Sequence, residues 1–591
     1  MDITVSRREK VAAHATDLQE ENLQVGELLV AYLESLGVEY VYGVPGGAVE
    51  PFYNAMARSE RRGGLSVIGA RNESGAAYIA QGYYQASGKL GVCVATTGPG
   101  ATNLISGVAS AFLDEVPLLV ITGMGSPTTN GKAAFQDSSP GGVDTFSLMQ
   151  HCTRYSALIT HPEQFEREFY TALKLAFGEQ PGPVHLCIPV DVLSGHTGLA
   201  MPSFNINDLH SYAHPIDKVA IEKLLTLFQQ KPKAALVIGE YCSDSAHILI
   251  EFAQHLQIPF VTLPGAKGFV DPTHPLYRGV FGFAGHFSAR ETLIHPDIEY
   301  IVVAGSALSE WDTAKWDSQA IFNQRLIHID PVVHHLAYTP MAHLHIRSDV
   351  GEAFKYLLKA LPPANVANGP TKSSFVSSST PAARHQLTHS PINPALLMTE
   401  LSKAMPMDVR YFIDAGNSMS WGLHFLHAHQ GKPANLKSWF HISMRFAAMG
   451  WGIGNAIGAA IGNRNSPVVC ITGDGSLLMN GQEFTVALSE RLPVIFVVLN
   501  DSSLGMVKHG QRLAGAEPVS FTLPTINFAQ YAQSMGGNGI RCHSLSDFQK
   551  IDFSELFRHN IPTLIDVEID AEAPPPMHGQ VKQTGGMSYV R

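Results

Sequence analysis

PVVCITGDGSLLMNGQEFTVALSERLPVIFVVLND, residues 467–501, is the stretch whose reading decides the fold. A β-branched apolar run enters Gly473-Asp474-Gly475, a helical pattern of about fifteen residues follows, and a second apolar run ends at Asn500-Asp501. Strand, helix and strand of these lengths predict two parallel neighbours joined by a right-handed crossover, with both carboxyl ends on one edge of a sheet. Open α/β sheets take their ligands at that edge. Asp474 and Asp501 therefore converge although 27 positions separate them. Two carboxylates and a backbone carbonyl just beyond, placed at Ser503, are the oxygen ligands Mg²⁺ prefers, with phosphate oxygens completing its shell. The flanking glycines let a diphosphate approach the backbone, and the helix N-terminus adds positive potential. Gly-Asp-Gly alone more often makes only a turn. The strand–helix–strand frame and the distant Asn-Asp pair lift it above that.

Working outward, the same alternation fills three blocks. In 24–192 the strand-like runs are VEYVYGV, LSVIGA, LGVCVAT, PLLVITG and GPVHLCIP, separated by helix patterns. In 193–361 they are KAALVIG, IPFVTLP, IEYIVVAG and RLIHID, and in 388–571 VRYFIDAG, SPVVCITGDG, LPVIFVVLND and PTLIDVEI. The expectation is an α/β chain of three doubly wound parallel-sheet domains. Residues 362–387, rich in Ser, Thr, Pro and Ala, read as a linker, and 572–591 as an irregular tail.

The 591 residues are 45% hydrophobic and 15% charged, the composition of an ordinary globular protein. A net charge of −11 with scattered Lys and Arg gives no basic patch for nucleic acid or a membrane surface. The six cysteines, Cys93, Cys152, Cys187, Cys242, Cys470 and Cys542, never form C-x-x-C, and read as small core residues in a reducing compartment. The N-terminus lacks an apolar h-region and no run is long enough to span a bilayer, so a cytoplasmic protein is expected.

The GDG…ND segment resembles the thiamine-diphosphate signature, and the following Leu504-Gly505-Met506-Val507 is similar to the acetohydroxyacid (acetolactate) synthase branch. That branch usually carries Asn where this chain has Asp501, which is also an oxygen donor. GVPGGAVEPFYNAM (43–56), RNESGAAYIAQGYYQASGKLGVCVATTGPGATNLISG (71–107), AFQDS (134–138) and AAMGWGIGNAIGAAIG (447–462) extend the resemblance over about 24–571. It implies pyrimidine-binding, central and diphosphate-binding domains, thiamine diphosphate held through Mg²⁺, and a homodimer or homotetramer with sites at subunit interfaces.

Glu73 follows a strand and opens a helix; alone it would read as an acid complementing the helix dipole. In its R-x-E-x-G-A-A context it resembles the glutamate that hydrogen-bonds the aminopyrimidine ring and promotes loss of the thiazolium C2 proton. The resemblance makes Gln136, Phe135, Gly47 and Val44 pocket residues, with Gly47 a backbone donor near the reacting carbonyl. It places Met449, 25 positions before Asp474, beneath the cofactor, where most lone methionines would be core. Ala447, Asn417, Ser418, Ser476 and Met506 complete the expected cofactor contacts, and Lys508 and His509 the substrate pocket. Gly98-Pro99-Gly100 lacks the three-glycine dinucleotide pattern, and His334-His335 lies in the wrong domain for a proton relay. Both read as structural.

Two departures bear on substrate. The family carries R-F-D-D-R after a central strand, its second arginine facing the substrate path; here the stretch is Ser306-Ala307-Leu308-Ser309-Glu310-Trp311, with Trp311 at that arginine. Where the family follows L-G-M-V with a tryptophan, this chain has Gly510. The expectation is a carboligase that decarboxylates a 2-oxo acid such as pyruvate and passes the acyl unit to an uncharged carbonyl, an aldehyde. Acetolactate synthase proper, a 2-oxo acid decarboxylase or oxidase on the same scaffold, and a degenerate binding subunit are the alternatives. The altered stretch leaves FAD an open expectation.

Overall fold

The computed structural model describes residues 22–204, 216–363, 390–428, 431–432 and 436–577. The linker expected over 362–387, but for residues 362 and 363, lies outside them, as do 578–591 of the tail and the N-terminal residues 1–21 read against a signal peptide.

Three six-stranded sheets, parallel throughout, form the frame. The first contains β1 (Tyr40–Gly43), β2 (Ser66–Gly69), β3 (Gly91–Ala95), β4 (Leu118–Met124), β5 (Tyr155–Leu158) and β6 (Pro183–Pro189), in the order β2-β1-β3-β4-β6-β5. The second contains β7 (Ala234–Ile238), β8 (Phe260–Thr262), β9 (Tyr277–Val280), β10 (Tyr300–Ala304), β11 (Leu326–Ile329) and β12 (Leu344–Ile346), in the order β12-β11-β10-β7-β8-β9. The third contains β13 (Arg410–Ile413), β14 (Phe440–His441), β15 (Val468–Gly473), β16 (Ile495–Asn500), β17 (Asn538–Cys542) and β18 (Thr563–Glu568), in the order β14-β13-β15-β16-β18-β17. Central strands such as β4 and β16 are buried at every position, which is why their sequences are unbroken apolar runs rather than alternating ones.

The chain divides into two compact units: 1–212 with 450–465 and 480–492, and 213–449 with 466–479 and 493–591. In the first, the helix Glu73–Ser87 lies against the helix Trp451–Gly462. That second helix is apolar on all sides and buried from Trp451 to Ile461, so every face requires a partner. Glycine lets the backbones meet: a Cβ on Gly458 would stand 1.9 Å from the Ile79 carbonyl oxygen. Trp451 Nε1 donates to Gln81 Oε1 at 3.1 Å, and Gln81 Nε2 donates to the Gly107 carbonyl at 2.8 Å. In the second unit one apolar cluster runs from Val280 and Phe283 through Trp439 to Val497 and Ile565, joining the end of β9 to the core of the third sheet.

The single helix expected after Gly475 is three pieces: Asp474–Asn480, a 3-10 turn Gly481–Glu483, and Phe484–Ser489. Asn480-Gly481 explains the break, since both residues are poor helix-interior formers. Among the described residues no helix is long and apolar enough to cross a membrane. All six cysteines are buried and free.

Candidate functional site

Strands β13, β15 and β16 are neighbours, and the residues leaving their carboxyl ends build a candidate ligand edge. Register pairs Gly473 with Leu499, which sets Asp474 level with Asn500 and puts Asp501 one step beyond. The expected convergence of the two aspartates follows from that register. Asn500 turns inward, its Nδ2 donating to Asp566 Oδ1 at 2.8 Å and the Ile526 carbonyl at 3.1 Å. Asp474 is 3% exposed; Oδ1 accepts from Gly475 N at 2.8 Å, while Oδ2 is buried without a hydrogen-bond partner. Burial first, and then the Asp501 charge, push the Asp474 carboxyl up to about 7, and burial raises Asp501 as well. Asp501 Oδ1 accepts from Ser503 N at 3.1 Å.

The other expected cofactor residues gather here. A Cβ on Gly505 would stand 2.8 Å from Asn417 Nδ2 and 2.9 Å from Asp501 Oδ2, so amide and carboxylate flank the same glycine. Asn417 Oδ1 is also buried without a partner. Met449 Cε lies 3.2 Å from the Cβ position of Gly475. Ser476 is buried, and Ala447 holds a φ of 53°. Ser418 instead spends its hydroxyl on the Asp414 carbonyl at 2.8 Å. Among the described residues no group of three or more His, Cys, Asp or Glu side chains could hold a metal. Two carboxylates and a backbone carbonyl would need a bound phosphate to complete an octahedron.

Trp311, an expected substrate residue, and Met506, an expected cofactor contact, pack on the same apolar cluster, and the Trp311 ring meets Phe283 edge-on, centroids 4.1 Å apart. A Cβ on Gly510 would meet nothing within 4 Å. Lys508 is turned elsewhere: its Nζ donates to the Ala571 carbonyl at 3.0 Å and to Glu572 Oε1 at 2.7 Å. His509 is buried beside it, its pKa lowered by burial and then by the Lys508 charge.

Glu73 belongs to the other unit. It is the first residue of its helix, capped by Asn72, whose Oδ1 accepts from Ser74 N at 2.9 Å. Although 8% exposed, its carboxylate accepts from Asn103 Nδ2 at 3.0 Å, and Oε1 lies 3.2 Å from the Cβ position of Gly100. Asn103 was not singled out from sequence: it lies on the neighbouring helix Pro99–Leu113, and no spacing rule ties it to Glu73. Gln136 sits over Gly98, in a left-handed conformation (φ 51°), and its carbonyl accepts from Thr97 Oγ1 at 3.1 Å. Phe135 is 89% exposed, Gly47 is open to solvent, and Val44 is half-buried after β1.

The reversal of strand order in the second sheet, between β10 and β7, marks another ligand crevice by topology. It is filled by the chain itself. Glu240 Oε1 accepts from Ala307 N at 3.1 Å, and Oε2 is buried without a partner. A Cβ on Gly239 would stand 2.2 Å from the Gly305 carbonyl oxygen. Asp312, 2% exposed, accepts from Ser309 Oγ at 2.5 Å. Burial raises both carboxyls, and the Asp312 charge raises Glu240 further. Asp330 accepts from His335 at 3.0 Å, and that ring stacks on Tyr241 at 5.0 Å, so His335 has a structural place as expected.

Three family models match the chain in order: the thiamine pyrophosphate enzyme N-terminal TPP binding domain over residues 23–145, the central domain over 221–357, and the C-terminal TPP binding domain over 414–567. The acetolactate synthase isozyme 2 large subunit of Escherichia coli is 31% identical over 92% of this chain and 95% of its own. The isozyme 1 large subunit of that organism is 29% identical over 95% and 97%, and the acetolactate synthase large subunit of Lactococcus lactis 30% over 92% of each. A thiamine diphosphate-dependent 4-hydroxybenzoylformate decarboxylase from Rhodococcus jostii superposes with a TM-score of 0.77 over 93% of this chain and 100% of its own, at 20% identity, a likeness of fold. The candidate ligand edge around Asp474, the Glu73 helix and these matches over the whole frame agree: the chain belongs to the thiamine-pyrophosphate enzymes, in their acetolactate-synthase-like branch.

Proposed function

We propose that this chain is a Mg²⁺- and thiamine-diphosphate-dependent carboligase that decarboxylates a 2-oxo acid such as pyruvate and joins the remaining acyl unit to an aldehyde. The observation that carries the cofactor part is the pair of raised carboxylates, Asp474 and Asp501, beside two buried oxygens without partners, Asp474 Oδ2 and Asn417 Oδ1. Such an edge is costly when left alone and suits a divalent cation and a diphosphate. Asp474, Asp501 and the Ser503 carbonyl would hold the metal; Asn417 and the backbone at Gly473, Gly475 and Ser476 would take the diphosphate. Met449, against Gly475, would support the rings from below. Bound thiamine diphosphate supplies a nucleophilic carbon and an electron sink for decarboxylation. Glu73, kept in place by Asn103, would accept the pyrimidine's hydrogen bond, and Gln136 and Gly47 would line the reacting carbonyl.

Trp311 supports the uncharged acceptor. The family's arginine there would offer an acceptor carboxylate a charged hydrogen bond of about 1.5–3 kcal/mol, so its absence weakens such an acceptor about 10- to 150-fold. Its indole presents apolar surface on the Phe283 ring instead, and Gly510 leaves room beyond. The side chains of Glu240 and Asp312 take up the central crevice, so we place no flavin there and route no step through FAD. As the resemblance implies, a homodimer would be the smallest working assembly, with Glu73 and Asp474 of one site supplied by different subunits. Six buried free cysteines support a cytoplasmic location.

Product analysis tests this reading. With pyruvate, Mg²⁺ and thiamine diphosphate, an added aldehyde should give an acyloin as the main product. Acetolactate from pyruvate alone at a comparable rate would favour acetolactate synthase proper, and free acetaldehyde would favour a decarboxylase.

A further inference from the structure

We propose that Glu483 is a positioning residue for Glu73, holding the backbone from which the Glu73 helix starts; this rests on the reading of Glu73 as the group that meets the cofactor's pyrimidine. Glu483 is 0% exposed and sits in the 3-10 turn Gly481–Glu483, within the same compact unit as Glu73. Among the described residues its carboxylate takes only backbone donors. Oε1 accepts from Asn72 N at 2.8 Å and Arg71 N at 3.1 Å, and Oε2 from Arg71 N at 3.2 Å. These are the two backbone N–H groups immediately before Glu73, so the carboxylate fixes the peptide planes that aim the first residue of the helix.

Space for this is provided on the helix itself. A Cβ on Gly75 would stand 2.4 Å from Glu483 Oε1 and 2.5 Å from its Cδ, so only glycine admits the carboxylate there. The Arg71 side chain ties the same segment a second time. Its Nε donates to Thr485 Oγ1 at 2.7 Å, and its Nη2 to Ser489 Oγ at 3.0 Å and the Thr485 carbonyl at 3.2 Å. The residues before Glu73 are thus anchored by backbone to Glu483 and by side chain to the helix after it. Glu73 in turn accepts from Asn103 Nδ2 at 3.0 Å through Oε2, so the residue is held through the backbone before it and through its carboxylate. Burial above all pushes Glu483 up to about 7, with the Glu73 charge acting in the same direction and the two N–H groups and Arg71 against it. A neutral acceptor in its place is therefore tolerable. The hydrogen-bond geometry matters more than the charge.

The test compares E483A, E483Q, E483D and E73Q as holoenzymes with Mg²⁺ and thiamine diphosphate, reading deuterium exchange at the cofactor's C2 carbon by NMR. Amide deuterium uptake over residues 66–76 of the cofactor-free proteins is the second readout. In E483A, C2 exchange should slow about 10- to 100-fold, as expected for misplacement of a reacting group by about an ångström. Amide uptake at 71–72 should rise, while affinity for thiamine diphosphate stays near that of wild type. E483Q, which keeps an acceptor oxygen, should recover most of the rate. E483D, one methylene shorter, should fall between them and carries the test where E483A does not fold. Wild-type C2 exchange in folded E483A or E483D, or E483Q as slow as E483A, overturns the proposal. Wild-type exchange in E73Q would instead remove the reading of Glu73 itself.

Discussion

The third sheet and the central sheet share one architecture and differ in what lies at their carboxyl-end edge. At the third, Asp474 and Asp501 face one another with Asp474 Oδ2 and Asn417 Oδ1 left without partners. At the central one, Glu240, Asp312 and Asp330 occupy the crevice where strand order reverses; Glu240 Oε1 accepts from Ala307 N, Asp312 from Ser309 Oγ and Asp330 from His335, while Glu240 Oε2 has no partner. Topology offers a ligand edge in both places. Side chains set them apart: the third edge presents Asp474, Asp501 and Asn417, and the central one carboxyls engaged by its own loops.

The largest test of that contrast is Asp474→Asn. Turnover at saturating thiamine diphosphate should fall by about 100-fold or more, since on the proposed reading a charged ligand of the ion that anchors the diphosphate is lost. The cofactor-free protein should respond in the opposite way. The Asp474 carboxyl is raised in the folded state to about 7, so its cost to stability is absent at acid pH and grows as pH rises from the ordinary aspartate range through 7. Above pH 8 the cofactor-free variant should therefore be about 1–2 kcal/mol more stable than wild type, and equal to it near pH 4. Equal stability at both pH values would mean that the edge carries no such penalty.

Trp311→Arg is the next. Competition between an aldehyde and a second 2-oxo acid, read as the ratio of kcat/KM values, should shift towards the acid by about 10- to 150-fold. No shift would remove Trp311 from the acceptor path. The smallest effect lies in the central crevice. Glu240 is raised to about 8 by burial and by Asp312, so the folded protein keeps a proton that the unfolded chain gives up, and the cost to stability grows as pH rises from the ordinary glutamate range to about 8. Glu240→Gln should melt with wild type at low pH and a few degrees above it at pH 8, a gain of about 1 kcal/mol. A lower melting temperature at pH 8 would show that the charged form is stabilising.

The missed strands show where the sequence becomes hard to read. β5, β9, β12, β14 and β17 did not stand out, and every one of them is at the edge of its sheet. Edge strands are buried on fewer sides, so YRGV or NGIRC need not be the unbroken apolar runs that β4 and β16 must be. At the site, Asp474, Asp501 and Glu73 were legible because strand ends and a helix start place them. Asn103 and Glu483 were not, since each acts on Glu73 from a distant part of the chain. Lys508, expected in the substrate pocket, donates to Glu572, 64 positions later, a pairing that no local rule announces.

Titration calorimetry of the cofactor-free protein tests the contrast between the two edges most directly. Thiamine diphosphate should bind once per chain in the presence of Mg²⁺, and chelation of the metal should weaken it by about 10- to 100-fold. FAD should give no heat, and the purified protein should be colourless. Thiamine diphosphate binding indifferent to the chelator, or FAD bound once per chain, would contradict the account.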